Sequence, residues 1–278
     1  MKTLYVSDLD GTLMQPDATI SPQSVEALNS LIAQGALFTI ATARTPATVA
    51  GILRDVTMTI PAIVMTGASL WDKNSGHYTR MRFFDREAVS KVVEIYRATD
   101  TSSFIFTLDH DMVDIYHIGG ELNELQREFV AERIDSPYKT FHIGEPLPDD
   151  LSKVVLLYTM LPDAKAADTY EKTRLLPGIR AQYYHDIFGP EIGILEAFSD
   201  RATKALAMRS LADSLGVERI VCFGDNINDL PMMAEADLAV AVGNALPQVK
   251  EKADIVIGPN TADSVVKFIR EDFLMHNA

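Results

Sequence analysis

The sequence is poor in cysteine and has no long apolar run. Cys222 is the only cysteine among 278 residues, so no disulfide can form within the chain, which is typical of proteins from a reducing compartment. No apolar run approaches the roughly 20 residues needed to cross a bilayer, and the first residues do not resemble a signal peptide. We therefore expect a cytoplasmic protein without membrane contact.

Basic residues are also scarce relative to acidic ones. The chain has 25 Lys and Arg residues against 39 Asp and Glu residues, a formal net charge of −14. Nucleic acids and anionic membranes are bound by clusters of Lys and Arg, so neither is expected as a partner of the whole surface. A small anionic substrate is not excluded, because it responds to the charges of one pocket. The six His residues show no spacing typical of zinc ligands.

Two carboxylates follow the first apolar run. Leu4 and Val6 are typical of a buried strand, and strand alternation would carry Asp8 and Asp10 to the same side at its carboxyl end. Gly11 allows a turn there. Carboxylates this close repel each other unless a cation such as Mg²⁺ lies between them. A helix N-cap or an Asx turn explains the same residues without any metal.

Helical and strand patterns alternate on both sides of a more irregular middle segment. Strands are predicted at 37–41 and 62–65, with helices before and between them. Strands and helices alternate again after about residue 201. This alternation indicates a parallel sheet with crossover helices. Such sheets bind ligands at the carboxyl ends of their strands, where Asp8, Thr42 and Thr66 are expected.

The middle segment has hairpins and helices in no regular alternation, which is typical of an α+β domain. We predict a discontinuous Rossmann-like α/β core of residues 1–83 and 193–278, with an α+β domain of residues 84–192 inserted into it.

These residues resemble a known family. Asp8-Leu-Asp-Gly-Thr12, Thr42, Lys204 and Gly224-Asp225-x-x-Asn228-Asp229 have the order and spacing of the four motifs of the haloacid dehalogenase-like phosphatases. The size and position of the insert resemble the Cof-type sugar phosphatase branch, in which the insert is a substrate-specificity cap.

The resemblance implies a role for each motif residue. Asp8 would be the nucleophile that forms an aspartyl-phosphate, and Asp10 would protonate the leaving oxygen and then activate water. Thr42 would offer its hydroxyl to a phosphoryl oxygen, and Lys204 would supply positive charge. The non-catalytic alternatives are that Thr42 caps a turn and that the Lys204 side chain is solvated.

The resemblance also implies a Mg²⁺ site. The side chains of Asp8 and Asp225 and the backbone carbonyl of Asp10 would hold the ion. Asn228 would orient the phosphate or Lys204. Asp229 would contact the groups around the metal without binding it, or would orient Lys204. The alternative is that it only caps the next helix.

Three further residues are candidates for substrate binding. Arg44 follows the second motif and could reach substrate or form a surface ion pair. Thr66 and Gly67 follow the third predicted strand, where the family often has Asn in place of Thr66. The shorter side chain of Thr66 puts that contact in doubt.

The function implied is a Mg²⁺-dependent phosphatase of a small phosphorylated metabolite, most simply a sugar phosphate. A phosphomutase would use the same aspartyl-phosphate but return the phosphoryl group to a sugar hydroxyl. A non-enzymatic phospho-acceptor module also uses Asp, Thr and Lys at a sheet edge, although it needs neither a second Asp nor so large an insert. The sequence names neither the substrate nor the oligomeric state.

Overall fold

A computed structural model describes residues 1–186 and 189–277. It divides into two compact units: the first comprises Met1–Thr79 and Thr203–Ala278, and the second comprises Arg80–Ala202.

The first part of the first unit alternates strands and helices. Ser21 caps the first helix by accepting a hydrogen bond from the Ser24 amide at 3.0 Å, and Pro22 occupies the first turn, as helix-start chemistry favours. The elements are β1 (Thr3–Ser7), α1 (Pro22–Ala33), β2 (Leu37–Ile40), α2 (Pro46–Ile52), β3 (Ala62–Val64), β4 (Ser69–Trp71) and β5 (Tyr78–Thr79).

The second unit is a mixed sheet with helices. Its strand order is β10-β11-β9-β6-β7-β8, with β7 and β8 parallel and the other neighbours antiparallel. Apolar residues of α3, including Val89, Val92 and Tyr96, pack with Ile105 and Leu157 in its core. The elements are α3 (Arg86–Ala98), β6 (Ser103–Asp109), β7 (Met112–Ile118), α4 (Glu124–Ala131), β8 (Lys139–His142), β9 (Val154–Pro162), α5 (Asp163–Thr173), β10 (Ile179–Asp186) and β11 (Gly189–Ser199).

The chain then completes the first unit. Its main sheet has the order β14-β13-β12-β1-β2 and is parallel throughout. The fold is therefore α/β, a Rossmann-like parallel core with an inserted mixed-sheet unit, as the sequence predicts. The remaining elements are α6 (Lys204–Leu215), β12 (Arg219–Gly224), α7 (Leu230–Ala234), β13 (Leu238–Ala241), α8 (Pro247–Lys252), β14 (Ile255–Val256) and α9 (Ser264–Asn277).

Two expectations about strand partners differ from the structure. β3 does not join the parallel sheet as a full strand: it pairs antiparallel with β4 and meets the core sheet only at one bridge, between Ala41 and Ile63. The predicted boundary between residues 192 and 193 falls inside β11, which pairs with β9 and β10, so the second unit continues to Ala202. Strand periodicity identifies a strand but not its partners, which explains both differences.

Two further observations concern the cysteine and the membrane. Cys222 is a buried residue of β12. No helix in residues 1–186 and 189–277 combines the length and apolar character needed to cross a membrane.

Candidate active site

The site is built where the winding of the parallel sheet reverses. From β1 the chain moves to β2 on one side, whereas β12, on the other side of β1, starts the run toward β13 and β14. Ligands of open α/β sheets bind at such switch points, at the carboxyl ends of the strands. Asp8 follows β1 there, and its amide donates to the Phe223 carbonyl of β12 at 3.0 Å. Asp225 follows β12 directly.

β1 ends at Ser7, so strand alternation does not place the two aspartates, contrary to the sequence argument. Residues Leu9–Leu13 form a single wide helical turn instead, and Gly11 has φ of +75° within it. A Cβ atom at Gly11 would collide with the Asp225 carboxylate. Glycine is thus required by both the backbone conformation and the close approach of the two turns. Thr12 strengthens the contact by donating to Asp225 Oδ1 at 3.2 Å.

Lys204 begins α6 and lies between two carboxylates. Its Nζ donates to Asp8 Oδ1 at 2.5 Å and to Asp229 Oδ1 at 2.8 Å. All three side chains are buried, with exposed fractions of 2% for Lys204, 8% for Asp8 and 0% for Asp229. The solvated-lysine alternative is therefore wrong.

Both carboxylate oxygens of Asp229 accept hydrogen bonds from the protein. Besides Lys204, it accepts hydrogen bonds through Oδ2 from the backbone amides of Asp225 and Asn226, at 3.1 and 3.2 Å. A side chain at Gly224 would overlap the Asp229 side chain, so the glycine allows this close packing. Asp229 thus orients both Lys204 and the turn that carries Asp225, one of the two roles expected for it.

The carboxylates of Asp8, Asp225 and Asp229 form one cluster, and Lys204 forms ion pairs with Asp8 and Asp229 in it. Burial raises the pKa of Asp8 to about 8 although Lys204 opposes the shift, and the negative charge of Asp229 adds to it. Burial and the Asp229 charge also raise the pKa of Asp225 to about 6. Burial would lower the pKa of Lys204, but the charges of Asp8 and Asp229 outweigh it and raise that pKa. The cluster therefore carries more negative charge than it can neutralise.

This donor set fits a hard divalent cation. Carboxylate oxygens of Asp8, Asp225 and Asp229 lie within 4.8 Å of one another. Both oxygens of Asp229 already accept hydrogen bonds. Among the described residues, the side-chain hydrogen bonds of Asp8 and Asp225 involve Oδ1 of each carboxylate, which leaves Oδ2 of each available to a cation.

Asp10 pairs with Arg44 at the exposed side of the site. Arg44 donates through Nε to Asp10 Oδ2 at 2.9 Å and through Nη2 to Asp10 Oδ1 at 2.6 Å, a bidentate pair. The side chains are 52% exposed for Asp10 and 30% exposed for Arg44. The ion-pair alternative for Arg44 thus holds, and its partner is the predicted acid and base.

Thr42 is buried and connects the neighbouring loops. Its hydroxyl oxygen accepts from the Arg44 amide at 3.1 Å, the turn-capping contact foreseen as the alternative, and its carbonyl accepts from the Thr66 amide at 2.9 Å. Within the part of the chain that the structure describes, the Thr42 hydroxyl hydrogen has no acceptor.

Thr66 and Gly67 form a strained turn against the start of α6. Met65, Thr66 and Gly67 have φ values of +50°, +55° and +88°, and such values are unfavourable for a β-branched residue. The Thr66 hydroxyl is buried and without a hydrogen-bond partner among the described residues. A side chain at Gly67 would collide with the Thr203 carbonyl. The turn is therefore tightly fitted to the backbone that carries Lys204.

Asn228 is the predicted site residue that the structure does not connect to the others. It is exposed in the short helical turn Ile227–Asp229 and forms no hydrogen bond with the described residues. Asn244, which the sequence argument passed over, instead donates through Nδ2 to the Gly11 carbonyl at 2.7 Å. Its position after β13, at the carboxyl edge of the same sheet, was the available signal.

The family can now be identified. A family model described as haloacid dehalogenase-like hydrolase matches residues 5–269. The chain belongs to this family of hydrolases.

Similar proteins of this haloacid dehalogenase-like family are bacterial phosphatases. The chain is 26% identical to a Bacillus subtilis 5-amino-6-(5-phospho-D-ribitylamino)uracil phosphatase, covering 97% of each protein. It is 26% identical to the pyridoxal phosphate phosphatase of Escherichia coli, covering 94% of this chain and 95% of that one. The prediction of a phosphatase of this superfamily is confirmed.

Solved structures share the whole fold. A haloacid dehalogenase-like hydrolase from Bacteroides thetaiotaomicron superposes with a TM-score of 0.77 at 24% identity, covering 98% of this chain and 99% of that one. A subclass IIB sugar phosphatase superposes with a TM-score of 0.71 at 19% identity, covering 98% of each chain. At these identities the likeness concerns the fold, and it agrees with the predicted Cof-type branch.

Proposed function

We propose that this phosphatase is Mg²⁺-dependent, that it hydrolyses small phosphorylated metabolites through an aspartyl-phosphate on Asp8, and that sugar phosphates are its substrates. The observation that carries the proposal is the buried Asp8 carboxylate, held at 2.5 Å by Lys204 at the switch point of the sheet. A carboxylate held in place by a buried ammonium group is oriented for attack on phosphorus.

The first chemical step transfers the phosphoryl group to the protein. An Asp8 oxygen forms a bond to phosphorus while the bond from phosphorus to the leaving oxygen breaks, and Asp10 gives its proton to that oxygen. Lys204 and the Thr42 hydroxyl stabilise the charge on the phosphoryl oxygens. In the structure Arg44 donates to both oxygens of the ionised Asp10 carboxylate. When Asp10 carries the proton, one of these two hydrogen bonds must open, and the other keeps the carboxyl group beside Arg44.

The second step regenerates the protein. Asp10, now ionised, takes a proton from water, and the water oxygen attacks phosphorus while the bond to Asp8 breaks. Inorganic phosphate leaves and both aspartates return to their starting forms. The side chains of Asp8 and Asp225, with the Asp10 carbonyl, would hold Mg²⁺. When bound, the ion supplies positive charge that draws electron density from the phosphoryl oxygens.

The names of two related phosphatases support the proposed substrate class. The named substrate of the Bacillus subtilis relative has a phosphate on a ribityl chain, which is an open-chain sugar alcohol. The Escherichia coli relative is named for a phosphorylated aromatic aldehyde. Both are small phosphate monoesters, which supports a panel of sugar phosphates with these two compounds added, compared by kcat/KM.

The central experiment is phosphate release from p-nitrophenyl phosphate. We expect activity that requires Mg²⁺ and that falls at least about 10³-fold in Asp8→Asn, because the amide is not a nucleophile. Asp213→Asn, the same exchange at an exposed position of α6, serves as the control and should keep full activity. Equal activity in wild type and Asp8→Asn would contradict the proposal. ³¹P spectra would detect an isomerised sugar phosphate if the chain were a mutase, and a stable phosphoprotein without turnover would indicate an acceptor module.

A further inference from the structure

Asn244 connects the turn that carries Asp10 to two other loops of the first unit. Its Nδ2 donates to the Gly11 carbonyl at 2.7 Å, and its Oδ1 accepts from the Asn260 amide at 2.9 Å. Asn260 in turn donates through Nδ2 to the Met14 carbonyl at 2.7 Å. The middle of the Leu9–Leu13 turn and the residue that follows the turn are therefore both held by asparagine side chains.

The turn that carries Asp225 is held by the loop that contains Asn244. The Leu246 amide donates to the Asp225 carbonyl at 2.9 Å. Asp225 also contacts Gly11 closely and accepts from Thr12 at 3.2 Å. One short loop, residues 242–246, thus fixes both catalytic turns, and Asn244 is its side-chain contact with the first.

Burial does not explain why position 244 carries an asparagine. It is exposed, yet its amide forms hydrogen bonds to two backbone groups far away in sequence. Asn has both a donor and an acceptor at its end, which this bridge requires. Gly11 follows Asp10 directly and has φ of +75°, so a displacement of the Gly11 peptide would also move the backbone that carries the Asp10 side chain.

We propose that Asn244 is a positioning residue, which holds the Gly11 turn so that Asp10 can protonate the leaving oxygen. The inference rests on the proposed function, because it assumes that Asp10 is the acid. Proton transfer depends on a donor within hydrogen-bonding reach of the leaving oxygen, and a shift of about 1 Å can cost on the order of 100-fold in rate.

The chain offers a matched control in Asn29. Its Nδ2 donates to the Asp55 carbonyl at 2.8 Å, and its Oδ1 accepts from the Thr57 amide at 2.7 Å. The bridge has the same chemistry as that of Asn244, but it connects α1 to the segment after α2 and contacts neither catalytic turn. Asn29 Oδ1 also accepts from the Thr57 hydroxyl at 2.9 Å. Substitutions at Asn29 therefore remove the same two kinds of hydrogen bond as those at Asn244, and one more.

The test compares two substrates of similar shape. p-Nitrophenolate is a stable anion that leaves without a proton, whereas phenolate is more basic and needs the acid. We expect Asn244→Ala and Asn244→Asp to lower kcat on phenyl phosphate at least about tenfold and kcat on p-nitrophenyl phosphate less than about threefold, with KM little changed. Asn29→Ala and Asn29→Asp should lower neither rate.

Thermal melts separate positioning from stability. The Asn29 variants should lose at least as much stability as the Asn244 variants, since they lose the same two kinds of hydrogen bond and one more. Equal losses of rate on both substrates, or no loss in the Asn244 variants, would overturn the inference while wild-type activity stands. Absence of activity in the wild type with Mg²⁺ would overturn the proposed function itself.

Discussion

The turn at Thr66 illustrates how single residues carry strain in this site. For most residues the left-handed conformation costs about 1–2 kcal/mol, and β-branched residues are among the least suited to it. Thr66 does so with φ of +55°, next to Met65 with φ of +50°, and its buried hydroxyl has no partner among the described residues. Strain of this kind clusters at functional sites.

Replacing Thr66 with Asn should therefore stabilise the protein. Asn is similar in size, tolerates the left-handed region and can use its amide locally, so we expect the free energy of unfolding to rise by roughly 0.5–1 kcal/mol in denaturant melts. If the side chain also contacts substrate, KM will change in the same variant. Ala18→Asn relieves a residue with φ of +61° in an exposed turn and should stabilise without any change in KM. A loss of stability in Thr66→Asn would contradict the strain argument.

At the level of secondary-structure elements, one carboxylate of α9 forms hydrogen bonds to two strands of the core sheet. Asp272 accepts from the Tyr5 hydroxyl of β1 at 2.8 Å and from Arg219 of β12 at 2.6 and 2.9 Å. Burial would raise the pKa of Asp272, but the hydrogen bonds from Arg219 and Tyr5 and the positive charge of Arg219 outweigh it and hold the pKa below its usual value.

Asp272→Asn should destabilise the first unit. Loss of the charged hydrogen bonds to Arg219 is expected to cost about 2 kcal/mol at neutral pH. A carboxyl group whose pKa is lowered by folding stabilises the protein above its unfolded pKa, and this contribution disappears as the pH falls through its folded pKa. The difference between variant and wild type should thus shrink in acid. Glu271→Gln, at the exposed neighbour on α9, is the control. A pH-independent difference would refute the electrostatic explanation.

The order of these elements was predictable, but their partners were only partly so. Local patterns indicate β1, β12 and the polar residues that follow them, because side-chain periodicity and turn chemistry are recorded in nearby residues. β3 pairs with β4 only a few residues further along the chain, but strand periodicity does not show which strands pair. The place of residues 193–199 in the second sheet depends on contacts with β9, which is farther away in sequence. The contact of Asn244 with Gly11 and those of Asp272 with Tyr5 and Arg219 join residues more than 50 positions apart along the chain.

For the whole molecule, the division into two units suggests two unfolding events. The second unit has a core of its own, formed by residues of α3 and of strands such as Ile105, Leu157 and Leu195. The ends of the second unit are joined within it, since Arg201 donates to Asp85 at 2.9 Å. A unit with its own core and joined ends can unfold separately from the rest of its chain.

Glu196 provides a way to observe the second unit alone. This residue of β11 is buried and accepts a hydrogen bond from Tyr184, and burial raises its pKa to about 7. Because the folded pKa exceeds the unfolded one, ionisation favours unfolding. The protonated Glu196 side chain contributes its full stabilisation below the unfolded pKa of about 4.3. This contribution is lost as the pH rises through the folded pKa of about 7. Gln at this position keeps the size and the acceptor but cannot ionise.

We therefore expect Glu196→Gln to raise the midpoint of one calorimetric transition at pH 8 and to leave it unchanged near pH 4.5. The gain at pH 8 should be on the order of 3–4 kcal/mol, from the difference between the two pKa values. Glu191→Gln, at an exposed position of the same strand, should have no such effect. Asp272→Asn should lower the other transition only, since effects at distant, unconnected sites are independent. A single transition that both substitutions shift would mean that the two units unfold as one cooperative body.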